Sequence, residues 1–329
     1  MYGDSGIMRV GIVGAGRIAD KIARTLCGMQ TCRCSAVASR SLERAQAFAD
    51  KWGIPAAFGS YEELLSSDDV DLVYIATPHS HHMEPTMSAI AHGKPCLVEK
   101  AFMANARQAR EVLAFARERK VFVAEAIWTR YQPAVGIIRG LLDNGAVGEV
   151  KMIGASLGYN VVFKERIMKR ELCGGSLLDV GVYPLNFLRM FHPGEPVRTL
   201  SSCQLSDGGI DLQNSITMYY GDGLMANMQS SVCSENDKKA VISGSEGFMV
   251  IDNVNNPQLI RVFAGRGTLK EEIHVPDQIT GYEYEFEACR KAIMDGRLEP
   301  EEMPHEETLR IMDILDSLRE AWGVRYPFD

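Results

Sequence analysis

The stretch "MRVGIVGAGRIADKIARTL", Met8 to Leu26, decides the fold. Its first half is a short apolar run and its second half has helical spacing, with a glycine cluster between them. Gly14, Gly16 and Ala19 fit the pattern GxGxxG/A. In that pattern the first glycine permits a tight turn, the second lets a pyrophosphate approach the backbone, and the small third residue lets helix and strand pack closely. The N-terminus of the helix then offers free N–H groups and the positive end of its dipole to an anion, with Arg17 and Ile18 opening it. A βα turn without a ligand would look the same in isolation, so the rest of the chain has to decide.

The surrounding pattern favours the cradle. "CSAVAS" reads as a second strand, "AAFGS" as a short third, "VDLVYIAT" as a fourth, "PCLVEK" as a fifth and "VFVAEAI" as a sixth, with helical stretches between them. Strands alternating with helices imply a parallel, doubly wound sheet. Beyond Arg130 a helix over Pro133 to Asn144 is followed by longer alternating segments such as "EVKMIGASLG", "SITMYY" and "LMANMQSSV", which suit a mostly antiparallel sheet. Two helical patterns, Tyr284 to Asp295 and Glu306 to Trp322, close the chain. The expected fold class is therefore α/β: a doubly wound parallel sheet over residues 1–125, then an α+β domain over 126–329 with a mostly antiparallel sheet. The last helix could pack back on the first domain, and the residues before Met8 read as a loose extension.

Composition narrows the partners. The chain has 329 residues, 46% hydrophobic and 24% charged, with a formal net charge of −8. A chain so acidic, with a sequence pI near 5.5, presents no basic stripe for nucleic acid or an anionic membrane, and a small molecule is the expected partner. The eight cysteines include no CxxC pair and mostly sit in apolar segments, which favours a reducing cytoplasm. No apolar run approaches the roughly 18 residues of a membrane span.

Cofactor preference is written at the end of the second strand. An acidic residue there would accept hydrogen bonds from a ribose 2′-hydroxyl, but the residues are Ser39, Arg40 and Ser41. Arg40, with Arg44 one turn along the next helix, could instead bind a 2′-phosphate, predicting NADP with NAD as the alternative. In an open α/β sheet, ligands sit beyond the carboxyl ends of the strands, which points to Thr77, Pro78 and His79 after the fourth strand and Glu99 and Lys100 after the fifth. A lysine there can orient a substrate hydroxyl and depress a neighbour's pKa. Within "GGSLLDVGVYPLNF", Asp179 and Tyr183 are spaced to share one helical face, and a tyrosine beside a cation can act as base. The alternative is structural: Ser176 followed by Asp179 also resembles a capping box. The histidines 79, 81 and 82 do not have the spacing of a metal site, and no metal is expected.

The motifs "GIVGAGRIA", "YIATPHSHH", "GKPCLVEKAF", "AEAIWTRYQP" and "GGSLLDVGVYPL", in this order, resemble the Gfo/Idh/MocA oxidoreductases over essentially the whole chain from Met8. Within that family the likeness is to the branch of dimeric dihydrodiol dehydrogenases and NADP-dependent D-xylose dehydrogenases, which is similar to glucose–fructose oxidoreductase. The resemblance implies that Lys100 lies in the active site, that Tyr183 is the general acid/base where many members have His, and that Asp179 positions substrate. It likewise implies that Trp128 and Arg130 line the cofactor and substrate cleft. Two departures are visible: Ala101 stands where members usually have Pro, and the aromatic often found between an upstream Arg, here Arg166, and the Gly pair is absent from "RIMKRELCGG". The resemblance implies a Rossmann domain followed by an open-faced sheet used for substrate binding and oligomerisation, and an enzyme that transfers hydride between a nicotinamide and a secondary hydroxyl or carbonyl of a sugar, polyol or trans-dihydrodiol and assembles as a dimer or tetramer through that sheet. A form with tightly held NADP, or a sensor without catalysis, are the alternatives.

Overall fold

The computed structural model describes residues 6–329, so most of the extension expected before Met8 lies outside the described residues. The chain divides into two compact units. The first comprises the residues up to Trp128 together with Gln278–Asp313 and Phe328, and the second comprises Thr129–Asp277, Ile314–Pro327 and Asp329.

In the first unit, β1 (Met8–Val13), β2 (Cys32–Ala38), β3 (Ala56–Phe58), β4 (Leu72–Ile75), β5 (Cys96–Glu99) and β6 (Val123–Ala126) form one parallel sheet. Its strand order is β3-β2-β1-β4-β5-β6. Val10, Ile12, Val73, Ile75, Leu97 and Val98 are fully buried, as expected where helices cover both faces of a parallel sheet. The helices are α1 (Arg17–Gly28), α2 (Leu42–Trp52), α3 (Tyr61–Leu65), α4 (Met83–Ala91) and α5 (Ala106–Arg119). Helix α1 turns Ala19, Ile22, Ala23 and Leu26 inward, an apolar stripe at helical spacing. Ser41 and Asn105 cap α2 and α5 by accepting from the amides of Arg44 and Gln108, and Gly53 ends α2 in the left-handed conformation.

The second unit opens with α6 (Pro133–Asp143), begun by a proline at its first turn. Its sheet contains β7 (Val150–Gly158), β8 (Pro196–Leu205), β9 (Asp211–Tyr220), β10 (Met225–Ser231), β11 (Ala240–Gly244), β12 (Gly247–Ile251), β13 (Leu259–Ala264) and β14 (Thr268–His274). The order is β14-β13-β12-β11-β7-β10-β9-β8. All pairs are antiparallel except β7 with β10, so the sheet is mostly antiparallel as the alternating pattern predicts. Along β9 burial alternates, with Asn214, Ile216, Met218 and Tyr220 inward. The short α7 (Glu165–Met168) precedes a π-helical turn over Leu177–Gly181, which runs into α8 (Val182–Phe191). Of the closing helices, α9 (Glu283–Met294) belongs to the first unit, while α10 (His305–Trp322) contributes residues to both.

Candidate active site

In the first unit the strand order reverses between β1 and β4, the place where doubly wound sheets hold ligands. The glycine turn lies there. Gly14 has φ +101°, and a Cβ on it would sit 3.1 Å from the carbonyl oxygen of Ala76, so the turn and the loop after β4 touch backbone to backbone. Around Gly16 the opposite holds: a Cβ would meet nothing within 4 Å, leaving open space above the backbone. Among the described residues no side chain caps the N-terminus of α1 at Gly16. An approachable glycine in front of uncapped helical amides fits a dinucleotide pyrophosphate. Arg17 and Ile18 form the first turn behind it, Arg17 exposed and Ile18 half-buried.

At the end of β2, Ser39 is buried and its amide donates to the carbonyl of Phe58 at 3.2 Å, while Arg40 and Arg44 are exposed. Burial raises the pKa of the Tyr61 hydroxyl, and the charges of Arg40 and Arg44 pull it the other way. Both guanidinium groups therefore stand near one phenol at the head of α3. Tyr61 was not among the residues singled out from the sequence, because an aromatic at a helix start carries no signal until the sheet brings it to the end of β2.

The loop after β4 is tied to the loop after β5. His79, buried, places Nε2 3.0 Å from the carbonyl oxygen of Lys100. His82, fully buried, has ring nitrogens 2.9 to 3.1 Å from the carbonyl oxygens of Thr77, Ala101 and Phe102. Its neighbour His81 is exposed, and Pro78 is exposed at the loop tip. The histidine-rich motif thus lashes together the loops that follow β4 and β5, with Lys100 half-buried and its peptide bond to Ala101 cis.

Beneath Lys100, Glu99 is buried and accepts from the Tyr74 hydroxyl and, at 3.2 Å, from the Lys100 amide. Glu285 of α9 is fully buried close enough to Glu99 for the Glu99 charge to disfavour its ionisation, and among the described residues neither of its carboxyl oxygens has a hydrogen-bond partner. Burial first, and Glu99 second, hold its pKa well above the usual carboxylate range. Trp128, also in this unit, stacks on Tyr282 with ring centroids 4.2 Å apart and planes 5° from parallel.

In the second unit, Asp179 and Tyr183 are both buried, one on the π-turn and one at the start of α8. Turns of this kind are frequent at functional sites. Arg166 forks onto Asp179 with contacts of 2.8 and 3.4 Å, so the carboxylate is held by a partly exposed cation. Arg130 is buried and donates through Nε to Oδ1 of Asn186 at 2.6 Å, and Asn186 in turn donates to the carbonyl of Val182. The capping-box alternative for Ser176 and Asp179 does not form. Ser176 has helical backbone angles and turns its hydroxyl to Ser230 at 2.9 Å, because the segment enters through the π-turn rather than a capped α-helical turn.

The structure accordingly groups Gly14, Gly16, Arg17, Ile18, Ser39, Arg40, Arg44, Thr77, Pro78, His79, Glu99, Lys100 and Trp128 in one unit, and Arg130, Asp179 and Tyr183 in the other.

Comparison with known proteins follows the same division. Residues 8–126 match a family described as "Oxidoreductase family, NAD-binding Rossmann fold", and residues 137–250 match the "GFO/IDH/MocA C-terminal domain". The trans-1,2-dihydrobenzene-1,2-diol dehydrogenase of Mus musculus is 33% identical, the alignment covering 98% of this chain and 99% of that one. The Homo sapiens enzyme of the same name is 32% identical over the same shares. Among solved structures, a 3-ketoreductase from Actinomadura kijaniata in complex with NADP and TDP-benzene superposes with a TM-score of 0.86 at 25% identity, covering 95% of this chain and 97% of that one. An aldose-aldose oxidoreductase from Caulobacter crescentus shares the fold with a TM-score of 0.86 at 23% identity, covering 96% and 97%.

Proposed function

Because the chain belongs to the GFO/IDH/MocA family of oxidoreductases, we propose that it is an NADP-dependent dehydrogenase acting on a secondary hydroxyl or carbonyl of a sugar, polyol or trans-dihydrodiol. One observation carries the reading: the Thr77–His79 loop and Lys100 follow adjacent strands at the carboxyl edge of the sheet, beside the Gly14 turn, and His79 ties the two loops together. In a doubly wound sheet this edge is where the reactive end of a dinucleotide lies.

The bound nicotinamide supplies the hydride acceptor or donor. Gly14, Gly16, Arg17 and Ile18 would hold the pyrophosphate, Ser39, Arg40 and Arg44 the adenosine 2′-phosphate, and Thr77, Pro78, His79, Glu99, Trp128 and Arg130 the remainder of the cofactor. Tyr183 takes the hydroxyl proton as the substrate is oxidised and returns it in reduction, a general acid/base role. Lys100 supplies positive charge toward the reacting oxygen. Asp179 positions substrate as an acceptor that Arg166 keeps oriented. NADP is favoured by the pair of guanidinium groups beside Tyr61 and the absence of a carboxylate at residues 39–41. The dihydrodiol dehydrogenases and the 3-ketoreductase support the class of substrate. A dimer or tetramer through the open sheet is supported by β8, an edge strand that exposes Val197, Leu200 and Leu205.

The test is a fluorescence titration with NADPH and NADH, followed by turnover assays on D-xylose, D-glucose, myo-inositol and trans-dihydrodiols. Turnover with NADP on one of these is expected, and Tyr183→Phe is expected to lower kcat by roughly 10²- to 10⁴-fold while NADPH binding is retained. Wild-type turnover in that variant removes Tyr183 from the chemistry; NADPH binding with no turnover across the panel favours a sensor.

A further inference from the structure

Two contacts grip the chain where it enters the segment bearing Asp179 and Tyr183. One is made by Asp211, the first residue of β9 and fully buried. Its Oδ2 accepts from the amide of Leu177 at 2.7 Å and from Nδ2 of Asn214 at 3.1 Å, while Oδ1 has no hydrogen-bond partner among the described residues. Three residues before Leu177, the hydroxyl of Tyr326 donates to the carbonyl of Gly174 at 2.7 Å. Tyr326 lies under the Arg319 guanidinium, 4.5 Å from its ring centroid, and Arg319 is forked onto Asp329.

The space between these contacts is closed. A Cβ on Gly174 would come within 2.2 Å of the carbonyl oxygen of Ile167, and one on Gly175, at φ +115°, within 2.3 Å of Asp211 Oδ1. Glycine is therefore required at both places, and the backbone at 174–175 is closely packed against Ile167 and Asp211. The first amides of any helical segment lack partners within the segment and need an acceptor. An N-cap side chain serves the amides two and three residues on, so the hydroxyl of Ser176, itself engaged with Ser230, does not meet the need of the adjacent Leu177 amide, and that acceptor comes from another element, the start of β9.

We propose that Asp211 is a positioning residue for the reaction: it fixes the first turn of the segment from Leu177, and so the placing of Asp179 and Tyr183, with Tyr326 holding the chain just before it at Gly174. This rests on the assignment of Tyr183 as acid/base. Neither Asp211 nor Tyr326 touches substrate in this role; they hold the backbone from which the acting side chains project. Misplacement of a reacting group by about 1 Å costs on the order of 100-fold in rate.

The experiment compares Asp211→Ala, Asp211→Asn, Tyr326→Phe and Tyr183→Phe in the full chain by steady-state kinetics, NADPH fluorescence titration and amide hydrogen exchange. Asp211→Ala is expected to lower kcat about 10- to 100-fold with KM and NADPH affinity within about twofold of wild type, and to speed exchange at the Leu177 amide. Asp211→Asn keeps an amide oxygen where Oδ2 lies and is expected to restore both kcat and protection of Leu177. Wild-type kcat in Asp211→Ala with unchanged Leu177 exchange overturns the proposal, as does equal loss of kcat in the Asn and Ala variants. Should Asp211→Ala not fold, Tyr326→Phe decides, since it deletes one hydroxyl: a several-fold fall in kcat with faster exchange at Gly175 is expected, and wild-type values of both overturn the proposal. The Tyr183→Phe arm separates the two readings. If it turns over normally, the acid/base assignment fails, and the anchor at Asp211 is then judged by Leu177 exchange alone.

Discussion

Asp211 also makes a thermodynamic prediction that does not depend on any activity. Burial raises its pKa from an ordinary 3.8 to about 7, against the opposing pull of the Leu177 amide and the Asn214 side chain. A folded-state pKa above the unfolded one means that the group's contribution to stability is fully present below the unfolded pKa and is lost as pH rises through the folded one. Ionising Asp211 in place thus destabilises the native state by roughly 4 kcal/mol at full extent, at about 1.36 kcal/mol per pH unit of displacement. Asp211→Asn keeps the shape and an acceptor oxygen but cannot ionise. Its stability relative to wild type should therefore increase with pH, by about 3 kcal/mol between pH 5 and pH 8. For cooperative unfolding of all 329 residues, at about 2.1 cal/mol/K per residue, that corresponds to a relative gain in Tm of roughly 4 °C. Thermal unfolding of both proteins at several pH values measures this, and groups that titrate alike in the two cancel in the difference. A difference independent of pH, or one that moves against the variant as pH rises, refutes the argument.

Three further outcomes follow from the first unit. Arg40→Ala should weaken NADPH binding by about tenfold or more while leaving NADH nearly unchanged, and equal losses in titrations of the two would undo the 2′-phosphate assignment. Gly14→Ala forces a side chain onto a residue at φ +101° with a carbonyl 3.1 Å away. It should cost roughly 1–2 kcal/mol in denaturant unfolding and weaken both cofactors alike, whereas wild-type stability and affinity would show that the turn tolerates a Cβ. Glu285→Gln removes a buried carboxyl whose pKa is held high by burial and by Glu99. By the same sign argument the variant should gain on wild type in thermal unfolding as pH is raised, and a loss at high pH would mean that the ionised carboxylate has a partner.

The glycine turn, the six-strand alternation and the mostly antiparallel second sheet were legible in the sequence, because each is carried by local pattern: glycines at fixed offsets, apolar runs bounded by turn residues, and period-two alternation. That Thr77 to His79 and Glu99 to Lys100 fall at strand ends was legible for the same reason, since a strand's carboxyl end is a sequence position. What the tertiary structure decided lies wherever two distant segments meet. That residues 278–313 return to the first unit, so that Glu285 is buried near Glu99 and Tyr282 stacks on Trp128, is a matter of packing with no local signal. The placing of Tyr61 near Arg40 and Arg44, the role of His82 as a tie between loops, and the arrival of Asp211 as the acceptor for Leu177 are of the same kind. Local sequence specifies which backbone groups need partners and where the turns fall; which side chain satisfies them depends on the sheet order, and that order is set by burial of the whole chain at once.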